Sequence, residues 1–216
     1  CVTGQYDSMA HLKSHEYLDP AWDYILYTDN EALLKNPTYG AWDVRPLEFS
    51  SLDPVRNSRW HKTHPHALLQ NYDQSLWADG NVNILTDFLF KKIRTENHDL
   101  LIPRHFARTC IYQEAAAVKA AGIDDPALVD AEIDLEKAAG FPANYGLNET
   151  NILYRRHKNP EIIQLMEEWW AMIEKYSKRD QLALSFILWK HGITVESVSF
   201  ENTRLMKDDF FTLAHR

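Results

Sequence analysis

Two oxygen-bearing side chains, Asp79 and Asn81, stand two residues apart in the stretch SLWADGNVNI, with Gly80 between them. At a strand end, side chains at i and i+2 point the same way, so both can reach one ion. Oxygen ligands suit Mg2+ or Mn2+, and such a cation with open positions can bridge to phosphate oxygens. Asp, Gly and Asn are equally the residues of an ordinary turn, and the triplet alone does not separate the two readings. The segment just before it carries Arg56, Arg59 and Lys62 at helical spacing. Two such cations facing a diphosphate would be chemically apt, and a solvated basic face is the plainer alternative. His61, His64 and His66 fit neither an H-E-x-x-H pattern nor a zinc finger, which leaves them structural or supporting.

Further along, Glu149 stands just ahead of a strand-like run, and Asp180 and Gln181 open an apolar helical stripe. A carboxylate in either place can serve as an acid or a base. The bland readings are a helix cap for Asp180 and a surface pair with Arg155 or Arg156 for Glu149.

The elements that must position these groups alternate in type. CVTG (1–4), WDYILYTDN (22–30), SLWAD (75–79), DLLIP (99–103) and TNILYRR (150–156) are bounded apolar runs of strand length, and GITVESVSF (192–200) is another candidate. Runs of this kind suit a buried, mainly parallel sheet. In NPEIIQLMEEWWAMIEKY, Asn159 is placed to cap, Pro160 takes the first helical position, and Ile162, Leu165, Met166, Trp169 and Ile173 repeat on one face. A second helix, RDQLALSFILWKHG, stops at Gly192. Residues 104–140 read as two helices broken at Gly122–Pro126, an excursion beside the sheet. Alternating strands and helices predict an α/β sandwich, in which ligands bind beyond the strand C-termini. Thr28, Asp29, Asp79 and Asn81 sit at such ends.

With 216 residues, 45% of them hydrophobic, the chain can bury one well-packed domain core. A formal net charge of −8 argues against nucleic acid or an anionic membrane surface as partner. Cys1 and Cys110 offer neither a disulfide framework nor zinc spacing and fit a reducing compartment. No apolar run is long enough to span a membrane and the start is not signal-like, so any membrane contact is expected to be peripheral and the location cytoplasmic. The chain opens abruptly at CVTGQYDSM, which reads as though a strand were already under way.

The block RNSRWHKTHPHALLQNYDQSLWADGN resembles the motif of a glycosyltransferase-like family that includes plant cell-wall and mucilage proteins and bacterial polysaccharide-locus proteins. The shared pattern is Arg-x-x-Lys, then Pro-His, then Tyr-x-x-Ser-x-Trp-x-Asp-Gly-Asn. TGQYD at the start, YTDN at 27–30, LNETNILYRRH at 147–157 and RDQLALSFILWK at 179–190 follow in the same order, so the resemblance covers most of the chain. More distantly, the order is similar to that of the glycogenin and bacterial galactosyltransferase families.

That resemblance implies a GT-A-like nucleotide-diphospho-sugar transferase sandwich around a mainly parallel sheet, one domain over residues 1–216. It implies a nucleotide-sugar donor, a UDP-sugar first among them, a divalent Mn2+ or Mg2+ cofactor and a glycan acceptor. Carried over by residue, Thr3, Tyr6 and Asp7 hold the nucleoside, Thr28 and Asp29 its uracil or ribose side, and Arg59 and Lys62 stand near the donor. Asp79 contacts the ribose or the metal and Asn81 the metal, with His215 completing its shell, and Asn151 lines the donor sugar with Glu149. Asp180 and Gln181 lie beside the anomeric carbon. Asn81 departs from the acidic residue usual at its position, and a neutral amide oxygen holds a cation less tightly.

Sugar transfer passes through an oxocarbenium-like state while a nucleoside diphosphate leaves, and a metal with Arg59 and Lys62 would offset that charge. An inverting enzyme needs Asp180 or Glu149 as base, whereas a retaining one needs a group such as Gln181 or Asp180 under the anomeric carbon; analogy favours retention. Two other classes compete. A metal-dependent hydrolase would gather three or more His and Asp ligands, and a non-catalytic sugar-binding module would keep the fold without the chemistry.

Overall fold

The computed structural model describes Leu12 and residues 15–212. Thr3, Tyr6, Asp7 and His215, and the CVTG run, therefore lie outside the described residues. The strands are β1 (Ile25–Thr28), β2 (Thr38–Tyr39), β3 (Trp42–Pro46), β4 (Ser75–Ala78), β5 (Val82–Ile84), β6 (Leu100–Pro103), β7 (Ile152–Arg155), β8 (Ser199–Phe200) and β9 (Phe210–Thr212). The longer helices are α2 (Pro54–Thr63), α4 (Phe88–Thr95), α5 (Ile111–Ala120), α6 (Pro126–Ala138), α7 (Pro160–Lys175) and α8 (Asp180–Lys190); α1 (Glu31–Leu34) and α3 (Pro65–Leu68) are single turns.

The α/β class holds, but the sheets are mixed rather than mainly parallel. One sheet runs β1-β3-β2, a second β4-β7-β6-β8, and β5 pairs β9. Among the described strands only β1 with β3 and β6 with β8 pair in parallel. β7 enters antiparallel to both β4 and β6, with Ser75 opposite Arg155 and Ala78 opposite Ile152. Alternating strand and helix runs carry no information about that direction, which is why the parallel expectation fails here.

The second sheet is buried on both faces. Leu100, Ile102 and Leu153 point into a large core shared with α5, α6, α7 and α8, whereas Leu101, Ile152 and Tyr154 point into a second core with α4, β5 and β9. This is the two-fold alternation of a strand expressed as two interiors. The expected helices at 104–140 are present as α5 and α6, and they supply Ile111, Ala115, Val118, Val129 and Ile133 to the larger core. Through these residues the two helices pack against the sheet.

Asn159 caps α7 by accepting from the Glu161 amide, with Pro160 first in the helix, as the sequence predicts. The stretch 192–200 is mostly irregular: only Ser199 and Phe200 pair as strand, after a 3-10 turn at Glu196–Val198. Its apolar Val195 and Val198 still reach the core, so burial was readable where conformation was not.

Candidate functional site

α2 is the element that delivers the basic side chains. Asp53 caps it, accepting from the Val55 and Arg56 amides, and Pro54 fixes its first turn. The three cations divide their work. Arg56 reaches the C-terminus of α7, donating to the carbonyls of Ile173 at 2.9 Å and Tyr176 at 2.6 Å; it satisfies orphan carbonyls at the negative end of the helix dipole. Arg59 and Lys62, about one and two turns further along, converge on Asp180.

Asp180 is the first residue of α8, a helix buried on all sides from Asp180 to Leu188. Its Oδ2 accepts from Lys62 Nζ at 2.6 Å and from Thr150 Oγ1 at 2.9 Å, with Arg59 Nε 3.2 Å away. Trp169 Nε1 donates to the Asp180 carbonyl at 2.8 Å, which fixes the start of the helix against α7. Burial alone would raise the Asp180 carboxyl, but the Arg59 and Lys62 charges outweigh it and hold it well below the usual carboxylate range. Burial lowers the Lys62 ammonium, and the Asp180 and Asp79 carboxylates oppose that shift. Lys62 has no exposed surface and lies 5.8 Å and 6.0 Å from the Trp77 and Trp169 ring centroids.

Asp79 stands at the end of β4 as expected, and Lys62 Nζ is 3.8 Å from its Oδ1. Trp77 Nε1 donates to the same oxygen at 2.7 Å, and the Asp79 amide donates to the Asn151 carbonyl at 2.8 Å. Among the described residues both side-chain contacts fall on Oδ1. Asn81 follows in the tight connection to β5 and is half-buried. Asp79 and Asn81 thus stand two residues apart where β4 ends and the chain turns into β5.

The expected residues are gathered unequally. Asp79, Arg59, Lys62 and Asp180 form one charge cluster. Gln181 follows Asp180 and accepts from Arg179 Nη2 at 3.0 Å. Asn151 lies beside Asp79 through the backbone, while its Nδ2 donates to Thr203 Oγ1 at 3.0 Å. Glu149 is engaged elsewhere: its Oε1 accepts from Arg204 Nε and Nη2 at 2.9 and 2.7 Å, and its Oε2 from Asn202 Nδ2 at 2.6 Å. The surface alternatives, Arg155 and Arg156, do not pair with it; Arg155 is buried on Ser75, and Arg156 meets Asp99. Thr28 is fully buried and its Oγ1 accepts from the Asn30 amide at 3.1 Å, next to an exposed Asp29.

Gly146 brings this strand edge into place. Its φ is +111°, and a Cβ there would lie 2.7 Å from Val195 Cβ, so only glycine lets the chain enter β7 by this route.

The histidines have structural partners. His61 Nε2 accepts from the Glu48 amide at 3.0 Å and its Nδ1 lies 2.7 Å from the Asn57 carbonyl, which it serves as donor. Burial depresses its pKa to about 4, in keeping with that neutral form. His64 and His66 bond to the Trp60 carbonyl and to Glu167. Among the described residues no group of three or more His, Cys, Asp or Glu is arranged to hold a metal ion.

Thr150 and Trp77 bond to Asp180 and Asp79, and Arg204 to Glu149; none of the three is singled out by the sequence. Thr150 and Arg204 carry no periodic or spacing signal; Trp77 stood inside the quoted motif.

A family model described as "TOD1/MUCI70, glycosyltransferase-like domain" matches residues 15–210. The chain is also 27% identical over 199 residues to the "Probable hexosyltransferase MUCI70" of Arabidopsis thaliana, an alignment covering 80% of this chain and 33% of that protein. The chain therefore spans about a third of the length of this curated relative.

Proposed function

The chain belongs to the TOD1/MUCI70 glycosyltransferase-like domain family, and from that membership we propose that it transfers a hexose from a nucleotide sugar, a UDP-sugar in the first instance, to a glycan acceptor. The reading is of a GT-A-type enzyme assisted by Mn2+ or Mg2+ and retaining in stereochemistry.

One observation carries it. A fully buried lysine stands between two carboxylates, Asp180 at 2.6 Å and Asp79 at 3.8 Å, where a helix start meets a strand end. Burying that charge costs several kcal/mol per ion, which the two carboxylates at close range offset. Asp180 is held as an anion by Lys62, Arg59 and Thr150. A carboxylate kept so far below neutral is a poor general base, because efficient proton transfer asks for a pKa near the working pH. It is suited instead to stabilising positive charge at an anomeric carbon, with Gln181 beside it. Retention rests on the analogy with the glycogenin-like order of motifs. Glu149, already bonded to Arg204 and Asn202, supports the strand edge that carries Thr150 and Asn151 and is the weaker candidate for direct chemistry.

A divalent cation held by Asp79 and Asn81 would supply charge to the departing diphosphate. Arg59 adds a second positive group beside it, and Lys62 ties the state of Asp79 to that of Asp180. No helix among the described residues is long and apolar enough to cross a membrane.

A thermal-shift panel of nucleotides and nucleotide sugars, with and without Mn2+, tests this. A donor present at 100 times its Kd adds about 2.7 kcal/mol of stability. A metal-dependent shift with one nucleotide, lost in Asp79→Ala, supports the transferase and names the base. A shift with zinc alone, and none with any nucleotide, would favour the hydrolase.

A further inference from the structure

Asp180 and Gln181 are the first two residues of α8, and the link before them, residues 176–179, decides where they stand. Arg179, at the cap position, has no side-chain oxygen with which to accept from the free amides of the first turn. The start of this helix is therefore set by what surrounds the link. Arg56 of α2 holds the Tyr176 carbonyl at 2.6 Å. Ser177 Oγ accepts from the Arg179 amide at 3.1 Å and donates to Asp124 Oδ2 at 2.7 Å; the Lys178 amide donates to the same oxygen at 2.8 Å. The Ser177 amide donates to Glu132 Oε2 at 3.1 Å. Asp124 lies in the connection between α5 and α6, and Glu132 within α6.

These contacts are interior ones: Ser177 is 1% exposed and Glu132 has no exposed surface. The charged and titratable groups around Glu132 are few. Asp124 has the Lys178 ammonium 3.9 Å from its Oδ1, and Glu136 follows one helical turn along α6. Beyond Glu136 lies Tyr112 of α5, whose hydroxyl donates to the Phe141 carbonyl at 2.7 Å and whose ring centroid is 5.5 Å from the Lys137 ammonium. Burial raises the Glu132 carboxyl to about 8; the Ser177 amide opposes that shift and the Asp124 charge adds to it. At neutral pH Glu132 thus accepts from Ser177 without carrying a charge. Opening the link to water would return the carboxyl toward its ordinary 4.5, and its proton would leave.

We infer that Asp124 and Glu132 are positioning residues: they latch residues 176–179 and through them hold Asp180 and Gln181 against Arg59 and Lys62, with Glu132 uncharged while the latch is shut. The consequence for chemistry rests on the proposed place of Asp180 and Gln181 at the anomeric carbon; the latch itself does not. Because the shut form keeps a proton that the open form loses, the latch is tightest below about 4.5 and weakens as the pH climbs to about 8. Its opening constant rises about tenfold per pH unit across that interval and levels off above it.

Hydrogen exchange of the Ser177 and Lys178 amides in the full chain, corrected at each pH for the rate of an unstructured peptide, tests this. Protection should fall about tenfold per pH unit between about pH 5 and 8. Glu132→Gln keeps an oxygen for the Ser177 amide but has no proton to lose, so its protection should stay level. Protection independent of pH in the parent, or an equally steep fall in Glu132→Gln, overturns the latch. So does a fall of the same size at the Leu153 amide in β7, which would mean that the link opens only with the whole domain. The Trp169 indole, donating to the Asp180 carbonyl at 2.8 Å, reports the place of Asp180. Its proton should exchange in step with the Ser177 amide; an indole that stays protected while Ser177 opens removes the positioning role. This exchange pattern without any nucleotide-dependent thermal shift would count against the transferase reading alone.

Discussion

Lys62 Nζ meets Asp180 Oδ2 at 2.6 Å in a site where the lysine has no exposed surface and the aspartate 1%. Removing either partner strands a charge in the interior. Lys62→Met and Asp180→Asn should each cost about 3–5 kcal/mol of stability, and the double variant much less than their sum. Urea denaturation of the three proteins measures the coupling; strict additivity would mean that the two side chains do not act as a pair.

Asp79 is half-buried and less entangled, so Asp79→Ala should cost only about 1–2 kcal/mol while abolishing any Mn2+-dependent nucleotide shift. Asn81→Asp should do the opposite for the metal, since an added carboxylate raises affinity for a hard cation. The Mn2+ concentration giving half the nucleotide-dependent rise in Tm should fall in that variant. If it does not move, Asn81 is not a ligand.

The Glu149–Arg204 pair pins the 201–206 segment against the entry to β7. Glu149→Gln and Arg204→Ala should each lower stability by about 1–3 kcal/mol and speed amide exchange in that segment. The two effects should overlap in the double variant. Exchange confined to residues 104–109, where the Phe106 ring lies 5.1 Å from the Arg204 guanidinium carbon, would place the loss in the ring contact and not in the ion pair.

On α6, burial raises the Glu132 carboxyl to about 8 and that of Glu136 to about 9, with repulsion between the two adding to the second. Neither Glu136 oxygen has a hydrogen-bond partner among the described residues. The native state therefore holds these protons longer than the unfolded chain does. Their contribution is fully present below the ordinary value of 4.5 and is lost as the pH climbs through about 8 and 9. Glu136→Gln should flatten that decline, gaining on the order of 2–3 kcal/mol near neutral pH and almost nothing near pH 4. Urea midpoints measured across the range decide it, and a variant less stable than the parent at high pH would refute it.

Local chemistry made much of this readable in the sequence. The Asn159–Pro160 start of α7, the two helices within 104–140, and β4, β6 and β7 were all marked by caps, breakers or bounded apolar runs. The direction of β7 was not, because an apolar run has no arrow. Asp79, Arg59, Lys62 and Asp180 were nameable one at a time from type and position. Their meeting was not, since Thr150 and Lys62 reach Asp180 across 30 and 118 residues, and no local pattern encodes a contact of that span. Glu149 illustrates the converse: its position ahead of a strand was read correctly, but its partner Arg204 lies in an irregular stretch that carries no signal.

The 118-residue separation between Lys62 and Asp180 also sets an order of events during synthesis. The chain emerges from its N-terminal end, so Lys62 and Arg59 leave the ribosome long before the residue that neutralises them. Until α8 has been made, Arg59 and Lys62 lack Asp180, although Arg56 can already reach the Ile173 and Tyr176 carbonyls at the end of α7. The charge cluster is thus among the last contacts to close. A chain released before residue 180 would leave Lys62 with Asp79 alone, at 3.8 Å, and without the carboxylate that lies 2.6 Å from it in the folded protein.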